Sequence, residues 1–285
     1  MLPSDVSGSG LIAVGLVALL CLLGPLLVQI FWARGRRWLW AGFGLGVLTF
    51  TVTQLLIRIP LITVVLPVLP EWQALLSHAV WAALVLSFSA AVFEETGRLL
   101  VLTLFFRTRR RTQADGVAFG LGHGGIEAFV LVGLSLVGVL VMGILVKAGQ
   151  WGSLTATMPP EAAAALQSQL GAVTVLAATA GGLERVAAVA LHVGLSVLVL
   201  LGVERGRPVA AWLLAMLIHG VANFVAVVAL TVWGWPVLAV EALLLVVAAI
   251  AIAWVVRIRP AFASGAGDRG DESPGESDQV ARGEL

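Results

Sequence analysis

The chain has 285 residues, 60% of them hydrophobic and 12% charged, with a formal net charge of +1 and a mean hydropathy of +1.03. A soluble domain carries about 25% charged residues, and a disordered chain lacks the apolar residues that dominate here, so both classes are excluded. A near-neutral balance with arginines confined to short clusters also speaks against a nucleic-acid partner. The lipid bilayer remains as the solvent. The lone cysteine, Cys21, lies in an apolar run, which leaves no intramolecular disulfide and no cysteine-based metal site.

Crossing a hydrocarbon core takes roughly 20 apolar helical residues, and seven runs qualify. The first, 10–32, is read as an uncleaved span, because the preceding MLPSDVSGSG holds no lysine or arginine and no small-residue cleavage site follows. The second, 39–57, leads into the proline-punctuated IPLITVVLPVLP, read as an interfacial connector. The third, 72–106, would be roughly 52 Å long as one helix, so it must tilt, protrude or break. The fourth, 116–146, is followed by a loop with Pro159 and Pro160; the fifth, 173–203, the sixth, 208–233, and the seventh, 237–256, complete an all-α polytopic bundle. One membrane domain, 10–256, thus precedes a polar tail, 264–285, too poor in apolar residues to fold.

The clusters RGRR, RTRRR, ERGR and RIR follow spans one, three, five and seven, so alternation puts them all on one side. The positive-inside rule makes that side cytoplasmic, with the amino terminus outside and the carboxyl terminus inside a multi-pass cell membrane protein. Opposite loops hold only Lys147, with Arg58 near a boundary.

Within the spans sit Glu94, Glu95, Arg98, His123, Glu127, Glu184, Arg185, His192, His219 and Asn223. A charged side chain at mid-helix costs about 2.5 to 3.5 kcal/mol on insertion scales, which points to a functional interior. Glu94 lies 13 residues before Arg107, His123 12 after Arg111, His192 13 before Arg205 and His219 12 after Arg207. Four helices therefore offer a polar group at about 18 to 20 Å from the arginine belt. Residues four apart share a helix face. Such pairs are Glu94 with Arg98, His123 with Glu127, His192 with Ser196 and His219 with Asn223.

Several chemistries can be eliminated. Asp5, Asp115, Asp268, Asp271 and Asp278 all lie in termini or a loop, which removes an intramembrane aspartyl dyad. HGGIE is not the two-histidine HExxH helix, and Ser135 and Ser196 lack the strained turn of a serine nucleophile. What remains is a glutamate acting as base on water, with histidine and asparagine donors for the oxyanion. Adjacent Glu94 and Glu95 point about 100 degrees apart, so one can act as base while the other pairs with arginine. The cavity so formed is expected to open toward the arginine-bearing side.

The strings FEETGR, FGLGH, GLERVAAVALHVGLS and HGVAN, between Phe93 and Asn223, resemble the YhfC family of glutamic-type intramembrane proteases. That family is grouped with the PrsW proteases and the CAAX- and bacteriocin-processing enzymes. The resemblance implies that Glu94 or Glu95 is the catalytic glutamate, His123 a site histidine, and His219 with Asn223 the oxyanion-stabilising pair. The chain has EExxR where the CAAX enzymes have EExxxR, and its His192 helix matches YhfC better than that group. The implied substrate is a membrane-embedded or lipidated peptide or protein. No pair shows the spacing of a zinc-binding helix motif, which favours a metal-free reaction; zinc is the alternative, held by His123, His192, His219 and Glu94.

Bland readings stand beside these. Glu94, Glu95 and Arg98 also suit a helix-packing ion pair, Glu184 and Arg185 a buried pair, and Gly124 and Gly125 a site of close helix approach. His78 is read as interfacial, Glu241 as snorkelling or paired, and Trp32, Trp38, Trp72, Trp233 and Trp235 as interface anchors. A proton- or ion-coupled transporter is the competing function, against which stand the absence of repeats and of helix-breaking prolines at the polar layer.

Overall fold

The computed structural model describes residues 6–106, 112–258 and 262. The RTRRR cluster, the last arginine of RIR, the tail 264–285 and all the aspartates weighed above except Asp115 lie outside the described residues. Among the described residues there is no strand, and seven helices are long and apolar enough to cross a membrane. We number them α1 (Gly8–Trp32), α2 (Leu39–Val68), α3 (Ala79–Phe105), α4 (Gln113–Lys147), α5 (Val175–Glu204), α6 (Pro208–Thr231) and α7 (Val237–Arg257).

Their starts are written locally. Ser7 caps α1 by accepting from Gly10 N at 3.0 Å, and Thr174 caps α5 by accepting from Ala177 N at 3.1 Å. Thr112 and Asp115 form a reciprocal capping box on α4, with Thr112 N donating to Asp115 Oδ2 at 3.0 Å. Pro208 opens α6, where a missing N–H costs nothing. Gly206 (φ +69°) makes the tight turn from α5 to α6, a left-handed conformation that a Cβ would strain.

Two predicted boundaries move. The segment expected as a connector after 57 stays helical to Val68, because α2 loosens into π turns at Thr51–Arg58 and Leu61–Val65 that absorb the irregularity. The overlong third run breaks: a short helix, Pro70–Leu76, is separated from α3 by Ser77 and His78, and His78 is exposed at the N-cap of α3. The fourth span carries its own π turn, Ala128–Gly133, immediately after Glu127. π turns are rare and cluster at functional sites.

Close packing concentrates at the arginine-bearing end. A Cβ on Gly46 would stand 2.1 Å from Phe119 O, and one on Gly122 2.0 Å from Phe43 O, so α2 and α4 touch backbone to backbone. Small residues permit such contact where no hydrophobic effect drives helices together. Gly120 does the same for α4 on α5, its Cβ position being 2.4 Å from Val193 Cα. Leu102, Phe119, Val197, Leu200 and Ala215 are 0% exposed and fill the space between these helices. Trp32 Nε1 donates to Ala114 O at 3.5 Å, and Gln113 donates to Val255 O, tying α1, α4 and α7 at the same end. At the opposite end a separate apolar cluster joins Val6, Leu11, Val146, Leu170 and Val173, and Lys147 Nζ donates to Val6 O at 3.2 Å.

Candidate active site

The four polar groups counted to one depth meet. His123 Nε2 is 3.0 Å from Glu94 Oε2, His192 Nε2 3.9 Å and His219 Nε2 4.0 Å. Ring centroids are 4.9 Å apart for His123 and His192, and 5.2 Å for His192 and His219. All four residues are buried. Phe50 meets the His123 ring edge to face at 5.5 Å and closes that side.

The two glutamates divide their tasks. Glu95, not Glu94, carries the Arg98 ion pair, and the shared face expected for Glu94 and Arg98 gives way to the i, i+3 contact. Glu95 Oε1 also lies 2.9 Å from His219 Nδ1, and Arg98 Nη2 lies 2.9 Å from His192 Nδ1. These contacts fix tautomers. A guanidinium only donates, so His192 Nδ1 accepts and the neutral ring carries its hydrogen on Nε2. A carboxylate only accepts, so His219 Nδ1 donates and its Nε2 is a lone pair when the ring is neutral.

Sequence reading missed two residues on α2. Gln54 Nε2 donates to Glu94 Oε1 at 2.5 Å, and Arg58 Nη1 donates to Gln54 Oε1 at 3.1 Å. Because Arg58 cannot accept, the Gln54 amide is oriented and Glu94 Oε1 is held as an acceptor. That leaves Oε2 to face the imidazoles. Arg58 itself is anchored by Ser89 Oγ at 3.1 Å and Leu86 O at 2.6 Å. The signal was a glutamine four residues before an arginine in an otherwise apolar run, TQLLIR.

A second layer follows. His192 Nε2 is 2.7 Å from Glu127 Oε2, and Arg185 Nη1 donates to Glu127 Oε1 at 3.0 Å and also pairs with Glu184. Glu184 and Arg185 therefore join the site through Glu127 rather than standing apart. Ser196 turns its hydroxyl back to His192 O at 2.7 Å and takes no part. Asn223 lines the cavity, one turn from His219, and among the described residues its amide forms no hydrogen bond. Glu241 is buried, within electrostatic reach of Glu184 and Arg185, and does not snorkel outward.

Most of these groups line a cavity of about 230 Å³, behind whose wall Glu95, Arg98, His123, Ser196 and Glu241 lie. On α2 its wall runs from Phe50 to Ile59, on α3 from Glu94 back to Ala90, and on α4 from Glu127 to Leu131. On α5 it runs from His192 back to Glu184, and on α6 from His219 to Ala226. Each stretch leads away from the arginine-bearing end. The polar lining thus runs opposite to the expected opening, and on the arginine-bearing side the adjoining hollow between α5, α6 and α7 is apolar.

The donor set suits a metal ion. Glu94, His123 and His192, and separately Glu95, His192 and His219, bring one ligand atom each within 4.8 Å of one another. Five buried or cavity-lining carboxylates, Glu94, Glu95, Glu127, Glu184 and Glu241, face three guanidinium groups, Arg58, Arg98 and Arg185. With neutral imidazoles the interior is therefore formally anionic, which a divalent cation would offset. The lone pair on His219 Nε2 is ready for ligation, backed by Glu95 in the manner of carboxylate–histidine–zinc triads. His192 fits less well, because its Nε2 carries the hydrogen, and His123 Nδ1 is buried without a hydrogen-bond partner among the described residues.

This is the interior of a membrane-embedded peptidase. A family model described as YhfC intramembrane metalloprotease matches residues 17–256, and the chain belongs to that family. The chain is also similar to the uncharacterized membrane protein YhfC of Bacillus subtilis (strain 168), 34% identical over 221 residues, covering 77% of this chain and 85% of the relative. No solved structure matches. The family description favours proteolysis over the transporter alternative, and its metal runs against the expectation of a metal-free reaction.

Proposed function

We propose that the chain hydrolyses a peptide bond of a membrane-associated substrate inside this cavity, with Glu94 as the acid–base group. The observation that carries the reading is the convergence of three imidazole Nε2 atoms within 4.0 Å of Glu94 Oε2 at the closed end of the cavity. Glu94 Oε2 takes a proton from water as the water attacks the carbonyl carbon. Asn223 and a charged His219, its Nδ1–H held by Glu95, donate to the tetrahedral oxyanion. His192, fixed by Arg98 at Nδ1, positions the water. Collapse breaks the C–N bond and Glu94 returns the proton to the leaving amine, so one water is consumed.

A second reading rests on the His219 lone pair and the anionic interior. His123, His192 and His219 with Glu94 are the residues that would hold zinc, which supplies Lewis-acid polarisation of the carbonyl and a more acidic water. Glu94 is then engaged as a ligand. Glu127, whose Oε2 lies 2.7 Å from His192 Nε2 and whose Oε1 accepts from Arg185, takes the role of base.

Cleavage of membrane peptides and the zinc content of purified Glu94→Gln and Glu127→Gln variants separate the two readings. Loss of a general base costs about 100- to 10,000-fold in rate. Without metal, Glu94→Gln loses cleavage and neither the parent protein nor its variants contain zinc. With zinc, Glu94→Gln loses both zinc and cleavage, whereas Glu127→Gln keeps zinc and loses cleavage. Unchanged cleavage by Glu94→Gln overturns both.

A further inference from the structure

We infer that the cavity is reached from the arginine-poor, non-cytoplasmic side of the membrane. Resting on the proposed proteolysis, the substrate is then a membrane-anchored protein that presents its peptide bond in the outer half of the bilayer. Taking Glu94, His123, His192 and His219 as the reference depth, no cavity-lining residue on α3, α4, α5 or α6 lies on the arginine-bearing side of it. Four antiparallel neighbours agree, although two of them run up and two run down. On the arginine-bearing side a neighbouring hollow of about 270 Å³ between α5, α6 and α7, which shares Leu191 and Val247 with the site cavity, is lined by apolar residues alone and offers no polar group to a peptide bond or to water.

Closure of the other end is a property of the backbone. At the α2–α4 seam, Cβ positions on Gly46 and Gly122 would fall 2.1 Å from Phe119 O and 2.0 Å from Phe43 O, far inside van der Waals contact, so no side-chain rotation can open a path there. Beneath the histidines, Arg98 is 0% exposed and is held between Glu95 and His192. Below Arg98 come Leu102, Phe119 and Val197, also without exposure.

Depth agrees with this route. The wall on α6 reaches Ala226, seven residues beyond His219, which is about 10 Å at 1.5 Å per residue. From Ala226 to the end of α6 at Thr231 is five residues, or about 7 Å more. The Glu184 side chain, which lines the cavity, is 43% exposed and marks its mouth at that level. An extended peptide advances about 3.3 Å per residue, so a stem of about five residues spans mouth to catalytic layer.

The described arginine clusters, Arg34 to Arg37, Arg205 with Arg207, and Arg257, all sit at the closed end, whereas the open end holds Lys147. By the positive-inside rule the open end is the outer one. The polar lining therefore favours an extracytoplasmic stem over a lipidated tail approaching from the cytoplasm, which meets only apolar residues between α5, α6 and α7 on its way to the layer.

Cysteine accessibility tests the inference without any need for turnover, so its failure is distinguishable from failure of the protease reading. In full-length Cys21→Ala protein, single cysteines are placed at Ala226 in the cavity, at Gln150 in the loop after α4, and at Ala210 near the arginine end. A small membrane-impermeant methanethiosulfonate is applied to intact cells and to inverted membrane vesicles. The expected result is that Gln150→Cys and Ala226→Cys react in intact cells, and Ala210→Cys reacts only in inverted vesicles. Reaction of Ala226→Cys only together with Ala210→Cys overturns the inference. So does a reversed orientation, with Gln150→Cys reacting only in inverted vesicles. Failure of Ala226→Cys to react from either side, while the other two respond, overturns it as well.

Discussion

The two halves of the bundle, divided at the Glu94 layer, are made from the same helices and are packed by opposite rules. On the arginine-bearing side, glycines bring backbones together, Leu102, Phe119, Val197 and Leu200 are fully buried, and the hollow left between α5, α6 and α7 is apolar. On the other side α2 and α4 loosen into π turns, and Gln54, Arg58, Glu127, Arg185 and Asn223 line a cavity instead. The difference teaches that rigidity and chemistry are assigned to different depths of one membrane domain. The dense half holds Arg98 and Glu95, which orient His192 and His219 from behind; the open half supplies room for water and substrate.

That division can be broken at its boundary first. Arg98→Ala removes the buried cation that pairs with Glu95 and holds His192. Breaking a buried pair typically costs about 3 to 5 kcal/mol, so thermal unfolding in detergent should fall sharply, or the protein should fail to accumulate. In the open half, Asn223→Ala should leave the melting temperature unchanged and slow cleavage by about 100- to 1000-fold, as loss of an oxyanion donor does. Equal losses of stability from both variants would erase the distinction.

Smaller effects sharpen the comparison. Gly122→Ala places a methyl group against Phe43 O, and overpacking costs about 1 to 3 kcal/mol, seen as a lowered melting temperature. Gln54→Leu releases Glu94 Oε1, and loss of one hydrogen bond to a charged group is worth about 1.5 to 3 kcal/mol. Part of that should appear as a slower turnover, with KM little changed, and Gln54→Glu, whose carboxylate cannot donate to Glu94, should be slowed as well. Gly138→Ala meets nothing within 4 Å and should alter neither stability nor cleavage.

Much of this was legible in the residues. Seven spans follow from apolar run length, and the common depth of Glu94, His123, His192 and His219 follows from counting toward the arginines. Helical spacing alone left open whether Glu94 or Glu95 pairs with Arg98, since both i, i+3 and i, i+4 neighbours can reach. Only the placement of His219 against Glu95 decides it. Gln54 escaped because a neutral amide is a weak signal, and Arg58 because it lies near a predicted boundary that π geometry displaces. The direction of the opening was not readable at all. Periodicity tells which face of a helix turns inward, but which end of a bundle is filled depends on where glycines of different helices meet.

The π turn at Thr51–Arg58 makes the lateral wall of the cavity sensitive to chain length rather than to side-chain identity. A π turn accommodates one residue more than regular α winding. Deleting a single residue within that stretch would let the helix rewind into regular α turns, leaving the residues beyond it facing as before and shifting those inside it, Gln54 to Arg58, against α3. The Arg58–Gln54–Glu94 hydrogen bonds inside the stretch would be reset, with no reactive group altered. Indels of one residue, ordinarily tolerated in loops, are here a means of disarming the site from a distance.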